Sequence, residues 1–172
     1  LYCVSQIFIN RAVCCAVNHN TGREYEGDII ARTASPQQVL VIGGGPSGME
    51  SARLLSNKGH HVTLWEKDLD LGGTARIAAL AYEPNERLVH YLVNAVRALP
   101  IAIQLGTTAN RENIDTLDPD HIILATGAKR IAPAITGKEQ RHVFDGDQLR
   151  GILLGNSPAA IAKLSALQRL LM

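Results

Sequence analysis

Short apolar runs alternate along this chain with stretches whose apolar positions follow a helical spacing. Each run is four to eight residues long, a length typical of β-strands, and the runs cover residues 39–42, 61–65, 101–105 and 120–127. The last run leads into a glycine turn and is predicted to be a buried strand. The pattern therefore predicts four strands separated by longer segments.

The segments between the runs carry the helix predictions. Residues 87–99 predict an amphipathic helix that ends before Pro100, with apolar side chains at positions 88, 89, 92, 93, 96 and 99. A helix is also expected after the first strand, with Pro46 as its first residue. Residues 111–117 predict one helical turn, and a Leu- and Ala-rich stretch predicts a helix from about residue 159. Residues 145–147 are expected to form a turn.

Strands that alternate with helices are typical of an open parallel sheet with right-handed crossovers. We therefore expect an α/β fold, namely a Rossmann-like, three-layer dinucleotide-binding domain over residues 35–150. Residues 1–34 are predicted to form an irregular arm and linker. Pro36, just after this boundary, favours an extended approach to the first strand. Residues 151–172 are predicted to form a helical tail.

A glycine motif separates the first strand from the helix that follows it. The sequence GGGPSG fits the pattern G-x-G-x-x-G at Gly43, Gly45 and Gly48. In such motifs the first glycine permits a tight turn, the second lets backbone approach a pyrophosphate, and the third lets helix and strand pack closely. The helix N-terminus favours the negative charge. Glu66, about 20 residues further on, can accept hydrogen bonds from an adenosine ribose.

The order of these pieces favours a nucleotide site over a structural βα turn. Ligands of open parallel sheets lie beyond the carboxyl ends of the strands. Because residues 43–48, Glu66 and the pair Thr126-Gly127 all follow strands, we expect them to converge on one bound nucleotide. A site for NADP is disfavoured, since no arginine takes the place of Glu66.

Composition and residue spacing disfavour several other classes of function. The 172 residues are 46% hydrophobic and carry a net charge of +1, with scattered Lys and Arg, so neither nucleic acid nor a membrane is an expected partner. No apolar run approaches a membrane span and no signal peptide is recognisable, so a cytoplasmic location is expected. The six histidines show no metal-binding spacing, and Ser47 is not in a G-x-S-x-G motif, which disfavours a hydrolase.

Three short motifs resemble those of flavoproteins with two dinucleotide-binding domains. These are Glu66-Lys67, Leu71-Gly72-Gly73 and Ala125-Thr126-Gly127. The resemblance implies that the acidic residue contacts the adenosine ribose and that the Gly-Gly loop lies near the nucleotide. It also implies that the Ala-Thr-Gly turn leads towards a nicotinamide-binding domain. The alternative for the last motif is a buried strand with an ordinary turn.

The cysteines make the resemblance narrower. Cys3 and Cys15 are twelve residues apart, and the sequences AVN and TGRE follow them. This segment resembles the one that joins barrel and dinucleotide domain in the 2,4-dienoyl-CoA reductase and trimethylamine dehydrogenase group, iron–sulfur flavoproteins related to old yellow enzyme. The resemblance implies that Cys3 and Cys15 are two of the four ligands of a 4Fe–4S cluster. The alternative is two reduced cysteines with incidental spacing, and Cys14 matches no ligand position.

The resemblance implies the dinucleotide-binding part of an NAD(P)H:flavin-type oxidoreductase, in which electrons pass between FAD, the cluster and FMN. Its implied partners are an FMN barrel and an NAD(P)H domain elsewhere in a longer chain. Arg76 could reach a phosphate or the flavin edge, or could be a solvated surface charge. No general acid or base is expected. A non-catalytic ADP or dinucleotide module and an inactive truncated fragment remain alternatives. The predicted contacts with FAD or ADP are Gly43, Gly45, Pro46, Ser47, Gly48, Glu66, Lys67, Gly72, Gly73, Arg76, Ala125, Thr126 and Gly127.

Overall fold

The computed structural model forms two compact units, Leu1–Gly127 and Ala128–Met172. The structure describes residues 2–15, 17–18, 21–23, 25, 32–128, 131, 133–155 and 157–165. The domain limits predicted after residues 34 and 150 remain predictions. No helix in these ranges is long and apolar enough to cross a membrane.

The first unit contains all four predicted strands. Its described elements, in chain order, are α1 (Tyr2–Phe8), β1 (Gln38–Ile42), α2 (Pro46–Asn57), β2 (His61–Trp65), α3 (Thr74–Ala81), α4 (Pro84–Arg97), β3 (Ile101–Gln104), α5 (Arg111–Leu117) and β4 (His121–Leu124). The helices predicted after the first strand, at 87–99 and at 111–117 are confirmed, with shifts of two or three residues at the ends of α4. Helix α3 was not predicted, and α1 gives the N-terminal arm a short helical start.

The four strands form one parallel sheet in the order β3-β2-β1-β4. Pairing is in register along β1, where Val41 lies beside Leu64 of β2 and Ile123 of β4. This order matches the first four strands of a doubly wound nucleotide-binding sheet, whose order is 3-2-1-4-5-6. It brings the carboxyl ends of β1, β2 and β4 to the same edge, as the sequence predicted.

Side chains alternate between the two faces of the sheet and are covered by helices on both. On one face Val41, Val62 and Leu64 pack against α2 and α4. On the other face Leu40 and Trp65 pack against Ile114 of α5 and against Ala109, which precedes that helix. The result is the predicted three-layer arrangement, with a core centred on β1 and β2.

Strand β4 differs from its prediction as a buried strand. Ile122 is 45% exposed and Leu124 is 75% exposed, while Ile123 on the opposite face packs against the core. Among the described residues β4 pairs with β1 alone and so forms an edge of the sheet. The apolar run was correctly assigned to a strand, but a continuous run does not distinguish a central strand from an edge strand.

The second unit contains two described helices, α6 (Gly146–Leu153) and α7 (Pro158–Ala162). They enclose a small core of Ile152, Ala160 and Leu164. The helix expected from about residue 159 is confirmed by α7, and residues 166–172 of the predicted tail lie outside the described residues.

The turn predicted at residues 145–147 is wrong, because these residues begin α6. The Asp145 side chain accepts hydrogen bonds from the backbone N–H groups of Asp147 (3.0 Å) and Gln148 (2.7 Å). The Gln148 side chain accepts one in return from the Asp145 N–H at 3.2 Å. This reciprocal arrangement is a capping box, which satisfies donors at a helix start.

Replacing Asp145 with alanine is expected to destabilise α6 by about 1 kcal/mol, since the cap acceptor is lost. Amide hydrogen exchange of residues 147–153 should therefore become faster. Asp145→Ser keeps a short acceptor and is expected to restore most of the protection. Unchanged exchange in the alanine variant would contradict the capping role.

Candidate nucleotide-binding site

The turn between β1 and α2 requires glycine at its first position. Gly43 has φ of +111°, and a Cβ added there would clash with the carbonyl oxygen of Ala125 and lie 3.1 Å from the Thr126 nitrogen. The Gly43 N–H donates to the carbonyl oxygen of Trp65 at 2.8 Å. Gly43 thus touches the chain that follows β4 and the last residue of β2. The three strand ends converge here, as the sequence predicted.

The other two glycines of the motif have opposite surroundings. A Cβ on Gly48 would clash with the carbonyl oxygen of Gly43 and lie 3.3 Å from the Ala125 Cβ, so this glycine lets α2 approach the strands. A Cβ on Gly45 would meet none of the described atoms within 4 Å. The side of the turn at Gly45 is therefore open, where the motif would admit a ligand.

Helix α2 begins at this open side. Its first internal hydrogen bond joins the Met49 N–H to the Gly45 carbonyl oxygen at 2.9 Å, and no described side chain caps its start. The first N–H groups of a helix have no partner within the helix, and the helix dipole adds a partial positive charge there. The start of α2 can therefore bind an anion.

The start of α3 lies beside that of α2. Gly73 precedes α3 with φ of +53°, and a Cβ on it would lie 3.1 Å from the Gly45 Cα. No described side chain caps α3 either. The Gly-Gly loop is held in place by the Gly72 N–H, which donates to the carbonyl oxygen of Gly44 at 2.8 Å. Two helix N-termini without side-chain caps thus meet at Gly45.

Glu66 lies beneath this junction and is only 6% exposed. Its Oε2 accepts a hydrogen bond from the Gly44 N–H at 2.6 Å, and its Oε1 accepts one from the Asp68 N–H at 2.9 Å. Each carboxylate oxygen has two lone pairs, so both can accept further hydrogen bonds. Glu66 therefore contacts the glycine turn and keeps capacity for a ligand.

The two predicted cationic contacts are both engaged in ion pairs. Lys67 Nζ lies 2.8 Å from Asp68 Oδ1, and the Lys67 side chain is 66% exposed. Arg76 Nη2 lies 3.0 Å from Asp70 Oδ2, and its aliphatic carbons pack beside Gly72. Arg76 is thus attached to the Gly-Gly loop, whereas Lys67 is directed to solvent.

The remaining predicted contacts line the same edge of the sheet. Pro46 and Ser47 form the first turn of α2, and Ala125 is half-buried against the glycine turn. Thr126 and Gly127 are exposed beyond the end of β4. Their roles in binding remain predictions.

Of the two predicted cluster ligands, Cys15 can be described. Its Sγ accepts a hydrogen bond from the Val17 N–H at 3.4 Å. Hydrogen bonds from the backbone of Asn18 and Val17 hold the pKa of the Cys15 thiol below its usual value, against a smaller effect of desolvation. The side chain of Cys3 lies outside the described residues. Across the described part of the chain, no three His, Cys, Asp or Glu side chains group as metal ligands.

Known proteins are similar to this chain in sequence. The family described as an NAD(P)-binding Rossmann-like domain matches residues 41–100. The bilirubin reductase of Mediterraneibacter gnavus is 40% identical over 149 residues, which make up 83% of this chain and 22% of that protein. The NADH oxidase of Thermoanaerobacter brockii is 34% identical over 143 residues, or 81% of this chain and 22% of that protein.

A solved structure is also similar to this chain. The 2-naphthoyl-CoA reductase, in complex with 2-naphthoyl-CoA, matches with a TM-score of 0.75 and 32% identity, over 88% of this chain and 23% of that chain. These relatives are oxidoreductases of one flavoprotein group. The chain belongs to this group. The resemblance inferred from the sequence is confirmed, and the flavoprotein segment spans less than a quarter of the length of these relatives.

Two contacts in this flavoprotein segment were missed from the sequence. Gly44 occupies a variable position of the motif, yet a Cβ there would lie 2.5 Å from Leu71 Cδ2 and 3.0 Å from Glu66 Cβ. Helix α3 was not predicted, so the contact of Gly73 at its start with Gly45 was missed as well. The repeated glycines at 43–45 were the available signal for the first contact, and Gly73 immediately before Thr74 was a signal for the second.

The flavoprotein segment is expected to react with iodoacetamide at Cys15 at a lower pH than an ordinary cysteine does. A lowered pKa means that the reactive thiolate forms at lower pH, so the rate should rise through a lower midpoint. The pH dependence can be followed by mass spectrometry of the peptide in a Cys14→Ser variant. A midpoint at the value of a free thiol would contradict the backbone hydrogen bonds to Cys15.

Proposed function

We propose that this segment binds the adenosine diphosphate moiety of FAD, or ADP itself, within a larger flavoprotein oxidoreductase. The observation that carries the proposal is the junction of the α2 and α3 N-termini at Gly45, on the side where a Cβ would meet no described atom. A diphosphate is the ligand that fits two positive helix ends and close backbone approach.

The chain's own residues supply binding and orientation. N–H groups at the start of α2, at Ser47 and Gly48, donate to the diphosphate, and the start of α3 adds its dipole. Glu66 accepts hydrogen bonds from the ribose hydroxyls, and Thr126 offers a hydroxyl at the adjoining strand end. The flavin supplies the electron transfer when bound.

The buried carboxylate favours an unphosphorylated ribose. Glu66 carries a negative charge where a 2′-phosphate would have to lie, and like charges at close range disfavour binding. Its neighbouring cation, Lys67, is paired with Asp68 and directed to solvent. FAD and ADP are therefore preferred over NADP.

Equilibrium binding tests this proposal. The purified chain is titrated with ADP, FAD and NADP in a calorimeter, and flavin absorbance is recorded in parallel. ADP and FAD should bind, and NADP should bind much more weakly. Binding of FAD with a perturbed flavin spectrum supports the flavoenzyme. Equal binding of ADP and FAD without a spectral change supports a non-catalytic nucleotide module instead, and failure to bind any of them contradicts the site.

We also propose that this segment helps to bind a 4Fe–4S cluster. Cys3 and Cys15 supply two thiolate ligands, and the remaining ligands come from elsewhere in the longer protein, because a 4Fe–4S cluster takes four. The donated N–H group at Cys15 Sγ fits a ligating thiolate, since such hydrogen bonds stabilise the anionic sulfur. A cluster held by these ligands would carry electrons between the nucleotide site and FMN on a separate barrel. We place the enzyme in the cytoplasm.

The apolar surface of α1 supports the barrel as a partner. Ile7 is 57% exposed and Phe8 is 85% exposed, and Val4 lies on the same side of the helix at 43%. Clustered exposed apolar side chains mark surfaces that another part of a protein covers. In the proposed enzyme this surface packs against the FMN barrel.

The cluster assignment is tested in the full-length protein purified without oxygen. Cys15→Ser should lower the iron bound per polypeptide, whereas Cys14→Ser should leave it unchanged. Equal iron content in wild-type protein and in the Cys15→Ser variant would contradict the assignment.

A further inference from the structure

Glu66 makes two hydrogen bonds within the protein, and they reach two separate parts of the site. Its Oε2 holds the N–H of Gly44 in the glycine turn, and its Oε1 holds the N–H of Asp68 in the loop that leads to Gly73. Its own backbone is fixed as well, because its N–H donates to Gln104 and its carbonyl oxygen accepts from Thr107, both at 2.9 Å. The carboxylate thus joins two chain segments, and its own backbone is hydrogen-bonded on both sides.

The same two segments also contact each other on the carbonyl side of Gly44. The Gly44 carbonyl oxygen accepts a hydrogen bond from Gly72 at 2.8 Å, and the buried Leu71 packs over the Gly44 Cα. Both polar groups of Gly44 are therefore used within the protein. The turn that begins α2 and the loop that begins α3 are held together through Gly44, with Glu66 at its N–H.

We propose that Glu66 is a positioning residue for the diphosphate, in addition to contacting the ribose. By holding Gly44 and Asp68 together, it fixes the start of α2 relative to the start of α3. This inference rests on the proposed nucleotide site and adds a role that does not depend on ribose hydroxyls. Charge-assisted hydrogen bonds to backbone N–H groups are among the stronger ones in proteins, so their loss loosens both segments.

A glutamine at position 66 separates the two roles. It has one carbonyl oxygen and one NH₂ group, so it can accept from Gly44 or from Asp68 but places a donor against the other N–H. Binding of ADP is compared with binding of 2′,3′-dideoxy-ADP, which keeps the diphosphate and lacks both ribose hydroxyls. Both ligands are titrated into three proteins. These are the wild-type chain, the Glu66→Gln variant and a control variant, Glu112→Gln, whose substituted residue is exposed on α5.

If Glu66 positions the diphosphate site, Glu66→Gln should weaken both ligands by about tenfold. If Glu66 acts on the ribose alone, the variant should weaken ADP and leave dideoxy-ADP unchanged, which would overturn the inference. The control variant should bind both ligands like the wild type.

A second measurement needs no variant, so poor folding of Glu66→Gln would not block the test. In amide hydrogen exchange of the wild-type chain, the Gly44 and Asp68 N–H groups should exchange slowly with solvent, because both donate to the Glu66 carboxylate. Fast exchange of these two N–H groups would overturn the positioning role. If the wild-type chain binds neither ADP nor dideoxy-ADP, the nucleotide proposal fails, whereas the amide exchange still decides whether Glu66 joins the two segments.

Discussion

Replacing Gly45 with alanine is expected to lower the affinity for ADP and FAD by about 100-fold, or about 2.7 kcal/mol, while the fold is retained. The added Cβ meets no described atom within 4 Å and therefore projects to the open side of the turn, where the diphosphate has to approach the backbone. The conformation at Gly45, φ −74° and ψ 178°, is one that alanine also adopts. Calorimetric titration measures the loss of affinity.

The effect of Gly45→Ala on stability should be small. Alanine is a poorer residue than glycine at a helix N-cap, which costs at most about 1 kcal/mol. Urea unfolding followed by the fluorescence of Trp65 reports on the first unit, since Trp65 is the single tryptophan of the chain and is buried there. A variant that unfolds like the wild type and still binds ADP equally well would contradict the proposed approach of the diphosphate.

Replacing Gly48 with alanine is expected to have the opposite outcome, a large loss of stability. The new Cβ would clash with the carbonyl oxygen of Gly43, a backbone atom that cannot rotate away, and α2 would have to move from the strands. Overpacking of this kind costs about 3 kcal/mol. Alanine has a better helix propensity than glycine, which stabilises the variant by about 1 kcal/mol. The free energy of unfolding is therefore expected to fall by about 2 kcal/mol.

The same urea unfolding experiment measures this loss, with Gly45→Ala as the matched control. Both variants add one methyl group to the same motif, three residues apart. If the two variants were equally stable, the close approach of α2 to Gly43 would be wrong. The contrast assigns the third glycine of the motif to packing and the second to ligand access.

The strands were predictable because their signal is local. Val39 to Ile42 and His61 to Trp65 are apolar runs bounded by glycines and polar residues, and strand length and composition suffice to recognise them. Helix α3 was harder to predict from the sequence. Its start depends on Gly73 at a positive φ and on packing against Gly45, which are tertiary features, and no capping side chain marks it in the sequence.

The candidate site was predictable as a set of positions, but its internal contacts were not. The convergence of Gly43, Glu66 and Ala125 follows from the rule that strand ends of a parallel sheet meet at one edge. The bond from Gly44 to Glu66 depends on the orientation of one peptide group, which no residue type specifies. The partners of Arg76 and Lys67 were likewise not deducible, because Glu66, Asp68 and Asp70 all lie nearby in the sequence.

The open edge of β4 has a consequence for handling the protein. Among the described residues no strand pairs with the outer side of β4, and the side chains of Ile122 and Leu124 are exposed on this strand. An edge strand with apolar side chains is a template on which another chain can add a strand. Concentrated solutions of this segment are therefore expected to self-associate through β4, and a lysine at position 124 would be the simplest means of keeping the chains apart.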